Sequence, residues 1–475
     1  MKNFFWDIVN IYMIIFSVSI LLSYVLLILL SWYRIRHHKI YHNEEYTVNL
    51  MEKSPYTPGV TIVAPAYNEE KTVITNIKSL LNLDYPDYKV VIVNDGSKDS
   101  TLRLIIENFD MEKVPFAYEE KIKTKPFRAL YKSSNPKYSR LSVVDKENGG
   151  TKADATNAGI NVVDTPYFVC TDVDCIIEKR ALYRVVWPMM SSPVRMIAVS
   201  ATLRMSNDCD VEGGEIIRAM PPKSLIPLFQ DLEYARSYLL SKSGFQTLNA
   251  INNVSGGFGL FDTEIAIQAG GYDGDSFAED MDMIGRMVRY MCDSGNPYRI
   301  VQVPETCCWT EGPSTLKILK RQRNRWGRGL VQFFNAHKDM LFKKRYHQYG
   351  MIALPYLLFF ELLAPVIELI GYIGLAYIIM AGKLNFQTFW VMILALYVFA
   401  QAISSAVIFY DIYIKTKFKS HWEYVRYILA SALEPLLYHP LIVIFTLSGY
   451  WDAIRGINLK WGNMTRKGAK QKNSK

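Results

Sequence analysis

Two aspartates one residue apart, Asp172 and Asp174, close the run Tyr167-Phe168-Val169-Cys170-Thr171-Asp172-Val173-Asp174-Cys175. The apolar, β-branched residues before them read as a buried strand, and carboxylates at such a strand's end emerge where open α/β sheets place their ligands. Asp-x-Asp there can hold a hard divalent cation, one carboxylate directly and the other directly or through water, with positions left for phosphate oxygens. Turns and helix caps use the same residues for local hydrogen bonds, so the pair gains chemical meaning only from its company.

That company is extensive. Pro65-Ala66-Tyr67-Asn68-Glu69-Glu70 closes the strand-like run from Val60, and Asn94-Asp95-Gly96-Ser97 closes Lys89-Val90-Val91-Ile92-Val93. Side by side at carboxyl ends of strands, the two stretches share one crevice. Asp95 can accept a hydrogen bond from the imide N–H of a uracil and Tyr67 can lie against the base, although Asn-Asp-Gly-Ser is also a turn sequence. Gly149-Gly150-Thr151-Lys152 leads into a helix, where backbone amides and an ammonium group suit a phosphate or sugar hydroxyls. The spacing is not that of a nucleotide-binding P-loop. Asn253 to Phe261, with Gly257 and Phe258 at its centre, is small and apolar, fit for close backbone approach to a sugar ring. Glu279-Asp280-Met281-Asp282 and Gln322-Arg323-Asn324-Arg325-Trp326 complete the set. Singly they read as a helix cap and a membrane-resting amphipathic helix. Together and in this order they argue for one site.

The elements that must position these residues alternate. Strand-like runs at Val60–Pro65, Lys89–Val93, Leu141–Val144 and before Asp172 are separated by helical stretches at Glu69–Leu83, Ser100–Phe109 and Ala153–Val163. Such alternation implies a mostly parallel, doubly wound sheet. Met111 to Arg140, rich in lysine and aromatics, interrupts it as an inserted hairpin or loop.

A hydrophobic fraction of 50% beside 21% charge in 475 residues conceals a split between a mixed central region and apolar ends. Ile8 to Leu30 is long enough to span a bilayer and is followed by Trp32, Tyr33 and the basic cluster Arg34 to Lys39. It reads as a retained span with its C-terminal end in the cytoplasm, too long for a cleaved leader. Val366–Met380, Phe389–Tyr410 and Val425–Tyr450 are further apolar segments, preceded by the proline-broken stretch Met351–Pro365. Glu361, Glu368, Glu434 and His439 fall in or beside them, lining a polar path or bonding helix to helix. One leading and three trailing spans would put the basic tail Arg466–Lys475 outside, against the positive-inside tendency, so one trailing segment is expected to re-enter or form a hairpin. The net charge of +9 gathers beside apolar segments, as at Lys343 to Arg345 and Lys415 to Lys419, which suits lipid headgroups and not a nucleic acid. The six scattered cysteines imply reduced thiols, not a disulfide framework.

The ordered set Tyr67-Asn68-Glu69, Asp95-Gly96-Ser97, Asp172-Val173-Asp174, Glu279-Asp280 and Gln322-Arg323-Asn324-Arg325-Trp326 resembles the inverting family 2 glycosyltransferases. More narrowly it is similar to the membrane-embedded processive synthases of cellulose, chitin, hyaluronan and poly-N-acetylglucosamine. The resemblance covers about Val60 to Leu330, and Gln-x-x-Arg-Trp is its most specific part. Thr151 standing between the glycines and Lys152, and the long insertion after Met111, depart from the family pattern.

The resemblance implies an α/β GT-A fold, Rossmann-like, at residues 60–335. It is preceded by a membrane helix with its basic flank (1–40) and a linker (41–59), and followed by interfacial and transmembrane helices (336–455) and a basic tail (456–475). It implies a UDP-sugar donor held by Pro65, Tyr67, Glu69, Asp95, Lys152 and Asp172, and Mg²⁺ or Mn²⁺ on Asp174 assisted by Asp172. Asp280 is then the base, while Gly257, Phe258, Gln322, Arg325 and Trp326 serve the acceptor and the diphosphate. The expected enzyme is a multi-pass protein of the inner or plasma membrane with its catalytic domain in the cytoplasm. It extends a β-linked polysaccharide and moves it across the bilayer, with accessory export subunits as conceivable partners. Transfer of one sugar to a lipid-linked acceptor is the alternative. A non-catalytic membrane scaffold is disfavoured by the full set of acidic positions.

Overall fold

The computed structural model describes residues 2–414 and 420–457. The basic cluster Lys415 to Lys419 and the tail Arg466 to Lys475 lie outside them.

The first helix, α1 (Lys2–Tyr41), continues without a break from the apolar span through the basic cluster that follows it. After a turn at His42 and Asn43 comes α2 (Glu44–Lys53). The alternating region then begins with β1 (Val60–Ala66), α3 (Val73–Leu81), β2 (Tyr88–Asp95) and α4 (Thr101–Asn108). The insertion forms β3 (Met111–Val114) and β4 (Phe127–Ser133), an antiparallel pair on the sheet's edge. The alternation resumes with β5 (Leu141–Lys146), α5 (Lys152–Ile160), β6 (Tyr167–Thr171), the two-residue β7 (Ile176–Ile177), α6 (Ala181–Ser191) and β8 (Met196–Met205). A small ribbon, β9 (Asp210–Glu212) with β10 (Glu215–Arg218), precedes α7 (Leu225–Ala235), a π-helical stretch Arg236–Lys242, and α8 (Ser243–Thr247). Next come β11 (Phe258–Asp262), α9 (Thr263–Gln268), α10 (Glu279–Asp293), β12 (Arg299–Thr310) and α11 (Leu316–His337).

Ten strands form one sheet in the order β3-β4-β5-β2-β1-β6-β11-β8-β12-β7. The pairs β5-β2, β2-β1, β1-β6 and β8-β12 are parallel, and β11 enters antiparallel between β6 and β8. This is the mostly parallel sheet of a GT-A fold. Its central strands are continuous apolar runs because helices cover both faces; Val60, Ile62, Val63 and Ala64 of β1 are all fully buried. Register brings the chemistry together. Val63 lies beside Val91 on one side and Cys170 on the other, so the chain leaves β1, β2 and β6 along one rim, where Tyr67, Asp95 and Asp172 stand.

Beyond α11, the span Tyr349–Met380 contains π-helical turns, a helical turn α12 (Leu354–Tyr356), and α13 (Ala364–Met380). The proline-broken stretch therefore belongs to a span instead of merely preceding one. It is followed by α14 (Phe386–Ile414), α15 (His421–Leu437) and α16 (His439–Ile454). Among the described residues, Ile14–Tyr41, Tyr349–Met380 and Phe386–Ile414 are long and apolar enough to cross a membrane. The segment read as one span from Val425 to Tyr450 is two helices, bent by 51° at Tyr438, where Pro440 follows. Proline cannot extend the hydrogen-bond ladder backwards, which fixes the break there. The two parts of the molecule are joined by buried charge. Arg204 of β8, 1% exposed, pairs with Asp231 of α7 at 2.9 Å and with Asp411 of α14 at 2.7 Å.

Candidate functional site

The crevice begins where β1 ends. Asn68 takes a left-handed φ of 56°, a conformation asparagine tolerates better than most residues, and turns the chain toward the loop after β2. Its backbone N–H donates to Ser97 Oγ at 3.1 Å, and its side-chain oxygen accepts from the Lys98 N–H at 2.9 Å. The Glu69 N–H donates to Thr101 Oγ1 at 2.8 Å. These bonds lock the two strand-end loops together.

Asp95 is held from several sides. It accepts from Lys146 Nζ at 2.9 Å, the Gly149 N–H at 3.0 Å and Asn148 Nδ2 at 3.1 Å. Gly96 beside it has φ of 61°, and a Cβ there would stand 2.8 Å from the Asn148 nitrogen, so only glycine fits. Lys146 ends β5, its side chain is fully buried, and it also contacts Asp154. No feature of the sequence singled it out, because a lysine closing a strand reads as a surface residue. Lys146→Met leaves two largely buried carboxylates without their cation. Unfolding should then show a loss of about 3–5 kcal/mol, the usual cost of breaking a buried ion pair from one side.

One rim position over, Asp172, Asp174 and Cys175 each present a ligand atom within 4.8 Å of the others. Hydrogen bonding to Cys308 and burial push the Cys175 thiol well up, and the two carboxylates are the hard donors of the set. An oxygen donor set of this kind fits a hard divalent cation such as Mg²⁺ or Mn²⁺. Lys152, first residue of α5, reaches in with Nζ 2.6 Å from Asp172 Oδ1 and 2.6 Å from the Gly256 carbonyl oxygen. Burial works against its charge, but Asp172 more than offsets this and its pKa is raised. Lys152 therefore bridges the Asp172 strand end to the glycine segment.

Gly257 lies where that segment enters β11, and an added Cβ would come 2.8 Å from Leu203 Cδ2. Phe258, expected to serve the acceptor, is turned into the core and fully buried. The sheet is covered on both faces, so a strand residue beside small neighbours does not thereby reach the cavity. Asp280 stands in the first turn of α10, its Oδ2 accepting from the Gly256 N–H at 3.3 Å. Glu279 is buried, and burial raises it to about 7 although Arg325 opposes the shift. Asp282 faces away, bound to His337 at 2.8 Å and Arg286 at 2.8 Å.

From α11, Gln322, Arg325 and Trp326 complete the lining. Arg325 Nη1 donates to the Phe277 carbonyl at 3.2 Å and lies 4.0 Å from Glu279. Arg323 of the same motif is buried, paired with Glu233 at 2.6 Å and set 4.4 Å over the Trp326 ring, fixing that indole from one side. The helix is pressed against α16 through Gly327 and Gly449; a Cβ on Gly449 would lie 2.3 Å from the Asn324 carbonyl oxygen.

A single cavity of about 2820 Å³ is lined by Pro65, Tyr67, Glu69, Asp95, Lys152, Asp172, Asp174, Gly257, Asp280, Gln322, Arg325 and Trp326. It continues past the π-helical stretch to Tyr24 of α1 and to Glu361, Glu368, Glu434 and His439 among the apolar helices. Three of these also bond in pairs, His439 with Glu368 at 2.8 Å and Glu434 with Arg236 at 3.0 Å. Lys242, in the π-helical stretch, lines it too, and burial lowers its pKa to about 8. Nothing in the sequence of that stretch marked it, although π-turns are frequent at functional sites.

Residues 61–208 match the model of Glycosyl transferase family 2, and residues 219–403 that of Glycosyl transferase family group 2. The poly-beta-1,6-N-acetyl-D-glucosamine synthase of Staphylococcus epidermidis is 27% identical over 271 residues, 57% of this chain and 54% of that one. The enzyme of the same name from Staphylococcus aureus strain COL is 27% identical over 289 residues, 60% and 58%. The chain thus matches little more than half the length of these relatives. A mannosyltransferase from Pyrobaculum calidifontis, solved with GDP-Man and Mn²⁺, superposes with a TM-score of 0.51 at 16% identity, covering 92% of this chain and 99% of that one. At that identity the likeness concerns the fold.

Proposed function

Because this chain belongs to glycosyl transferase family 2, we propose that it builds a β-linked polysaccharide from a UDP-sugar, processively, and passes the product into the membrane. The observation that carries this reading is the single cavity joining the strand-end carboxylates to the polar residues among the apolar helices. An enzyme adding one sugar to a soluble acceptor has no need of that continuation.

In this reading Asp95 receives the uracil N–H. A carboxylate has about four lone-pair sites, and the bonds accepted from the Lys146 and Asn148 side chains and the Gly149 N–H leave room for one more donor. Tyr67 covers the base, with Pro65 and Glu69 shaping the wall. Asp172 and Asp174 hold the divalent cation, which when bound supplies charge neutralisation for the diphosphate. Arg325 adds a second positive charge on the acceptor side. Asp280, fixed against the Gly256 N–H, takes the proton of the attacking hydroxyl, and one direct displacement inverts the anomeric carbon. Trp326 and Gln322 hold the acceptor end, with Gly257 beneath it. The relatives' names make N-acetylglucosamine in β-1,6 linkage the first product to test. Release of UDP from a panel of UDP-sugars by the purified protein identifies the donor; no release from any of them overturns the proposal.

The catalytic domain is placed in the cytoplasm, where UDP-sugars are made. The bent pair supports this orientation. Glu423 near the start of α15 meets Arg218 at 3.0 Å, and Asp452 near the end of α16 meets Asn324 at 2.7 Å. Both ends of the pair thus touch the catalytic domain, as in a segment that enters and returns on one side. With three crossings before it, the basic tail stays inside. A cysteine introduced at Ser134 should be protected from an impermeant thiol reagent in intact cells, and labelling there contradicts the orientation.

A further inference from the structure

His38 in the last turn of α1 and His42 directly after it are four residues apart, and the His42 N–H still donates to the His38 carbonyl at 2.8 Å. That spacing puts both on one helix face, and their ring centroids lie 4.7 Å apart. The chain turns directly after them, with Asn43 capping α2 by accepting from the Tyr46 N–H at 3.2 Å, so the corner is well defined. Opposite stands Glu305 of β12, whose Oε1 lies 2.6 Å from His38 Nε2. Its other oxygen, Oε2, is buried and accepts no hydrogen bond among the described residues. One ligand atom from each of the three side chains falls within 4.8 Å of the others.

A salt bridge between His38 and Glu305 accounts for the short contact. It accounts neither for His42 in the same cluster nor for the buried oxygen. The neighbouring Arg184 is committed elsewhere, donating to the Thr306 carbonyl at 2.8 Å and pairing with Glu44 at 2.7 Å. We infer that His38, His42 and Glu305 form a site for a zinc-class transition metal, fastening the end of α1 to β12. Two imidazoles and one carboxylate, with a fourth position left for water, are a zinc donor set, whereas Mg²⁺ and Ca²⁺ prefer all-oxygen shells. Bonds of about 2.0–2.2 Å put ligand atoms roughly 3.3–3.5 Å apart. For the three to share one ion the 2.6 Å contact must open and the wider separations, all within 4.8 Å, must shrink. The end of a helix, where carbonyls carry partial negative charge, also favours a cation. Since β12 runs on toward α11, the ion would brace the membrane helix against the strand that leads to Gln322 and Trp326.

The test is zinc binding by the full-length protein in detergent, with excess Mg²⁺ present to fill the Asp172 and Asp174 site, read by competition with a chromophoric chelator. One zinc equivalent should remain in the wild-type protein and in Asp174→Asn. Co²⁺ put in its place should give the visible absorption of a nitrogen-ligated tetrahedral ion. Glu305→Gln, His42→Ala and the bulkier His42→Gln should each weaken zinc at least about 100-fold, the upper end of what even losing an outer-shell partner costs. The inference is overturned by a wild-type protein that holds no zinc under excess Mg²⁺, by zinc retained at full affinity in both His42 variants, or by its loss in Asp174→Asn instead.

Discussion

Asp280→Asn lowers sugar transfer by roughly 10² to 10⁴, the ordinary worth of a general base, and leaves the affinity for UDP-sugar within a few-fold. The two effects separate because Asp280 stands on the acceptor side, against Gly256, while the donor is assigned to Asp95 and the Asp172–Asp174 pair. Asparagine keeps the shape and can still accept the Gly256 N–H, but it cannot take a proton. The loss must therefore appear at saturating donor, as expected for an interaction made only in the transition state. Trp326→Ala is the contrasting variant: acceptor engagement and product length fall while slow donor hydrolysis survives. If Asp280→Asn instead loses donor affinity and keeps its turnover, the base lies elsewhere. Glu279 is then the carboxylate to test, since it lines the same cavity and is raised to about 7 by burial, whereas Asp282 is engaged with His337 and Arg286 outside it.

Asp174→Ala abolishes turnover at any practical Mg²⁺ or Mn²⁺ concentration. Without Asp174, Asp172 is the remaining carboxylate of the cluster, and Lys152 already sits 2.6 Å from it. One shared carboxylate is a poor anchor for a divalent ion, and the diphosphate then leaves without its main counter-charge. Excess chelator should silence the wild-type enzyme in the same way. Full turnover in Asp174→Ala, or in chelator, contradicts the metal assignment.

The rim of the crevice was legible because strands buried on both faces must be continuous apolar runs, and the polar residues closing them have one place to go. Tyr67, Asp95, Asp172 and Asp174 follow from that rule, and Trp326 joins them through the motif on α11. Phe258 did not follow it, because apolar side chains on either face of a covered sheet are equally buried. Lys146 and Lys242 escaped notice for the opposite reason. A lysine is ordinarily at the surface, and only long-range packing shows that one is sealed against Asp95 and the other faces a membrane-side cavity. The break between α15 and α16 was masked by hydropathy, which averages over Pro440, and the partnership of His38 with Glu305 joins residues 267 apart in sequence.

The most direct test of the account is the size of product made at early times, with purified protein, divalent cation, UDP-N-acetylglucosamine and acceptor in large excess over enzyme. A chain that keeps its end beside Trp326 while earlier sugars advance toward Glu361 and His439 gives long polymer while most acceptor is still unextended. Uniform addition of one sugar to every acceptor, with no long product at any time, would contradict it.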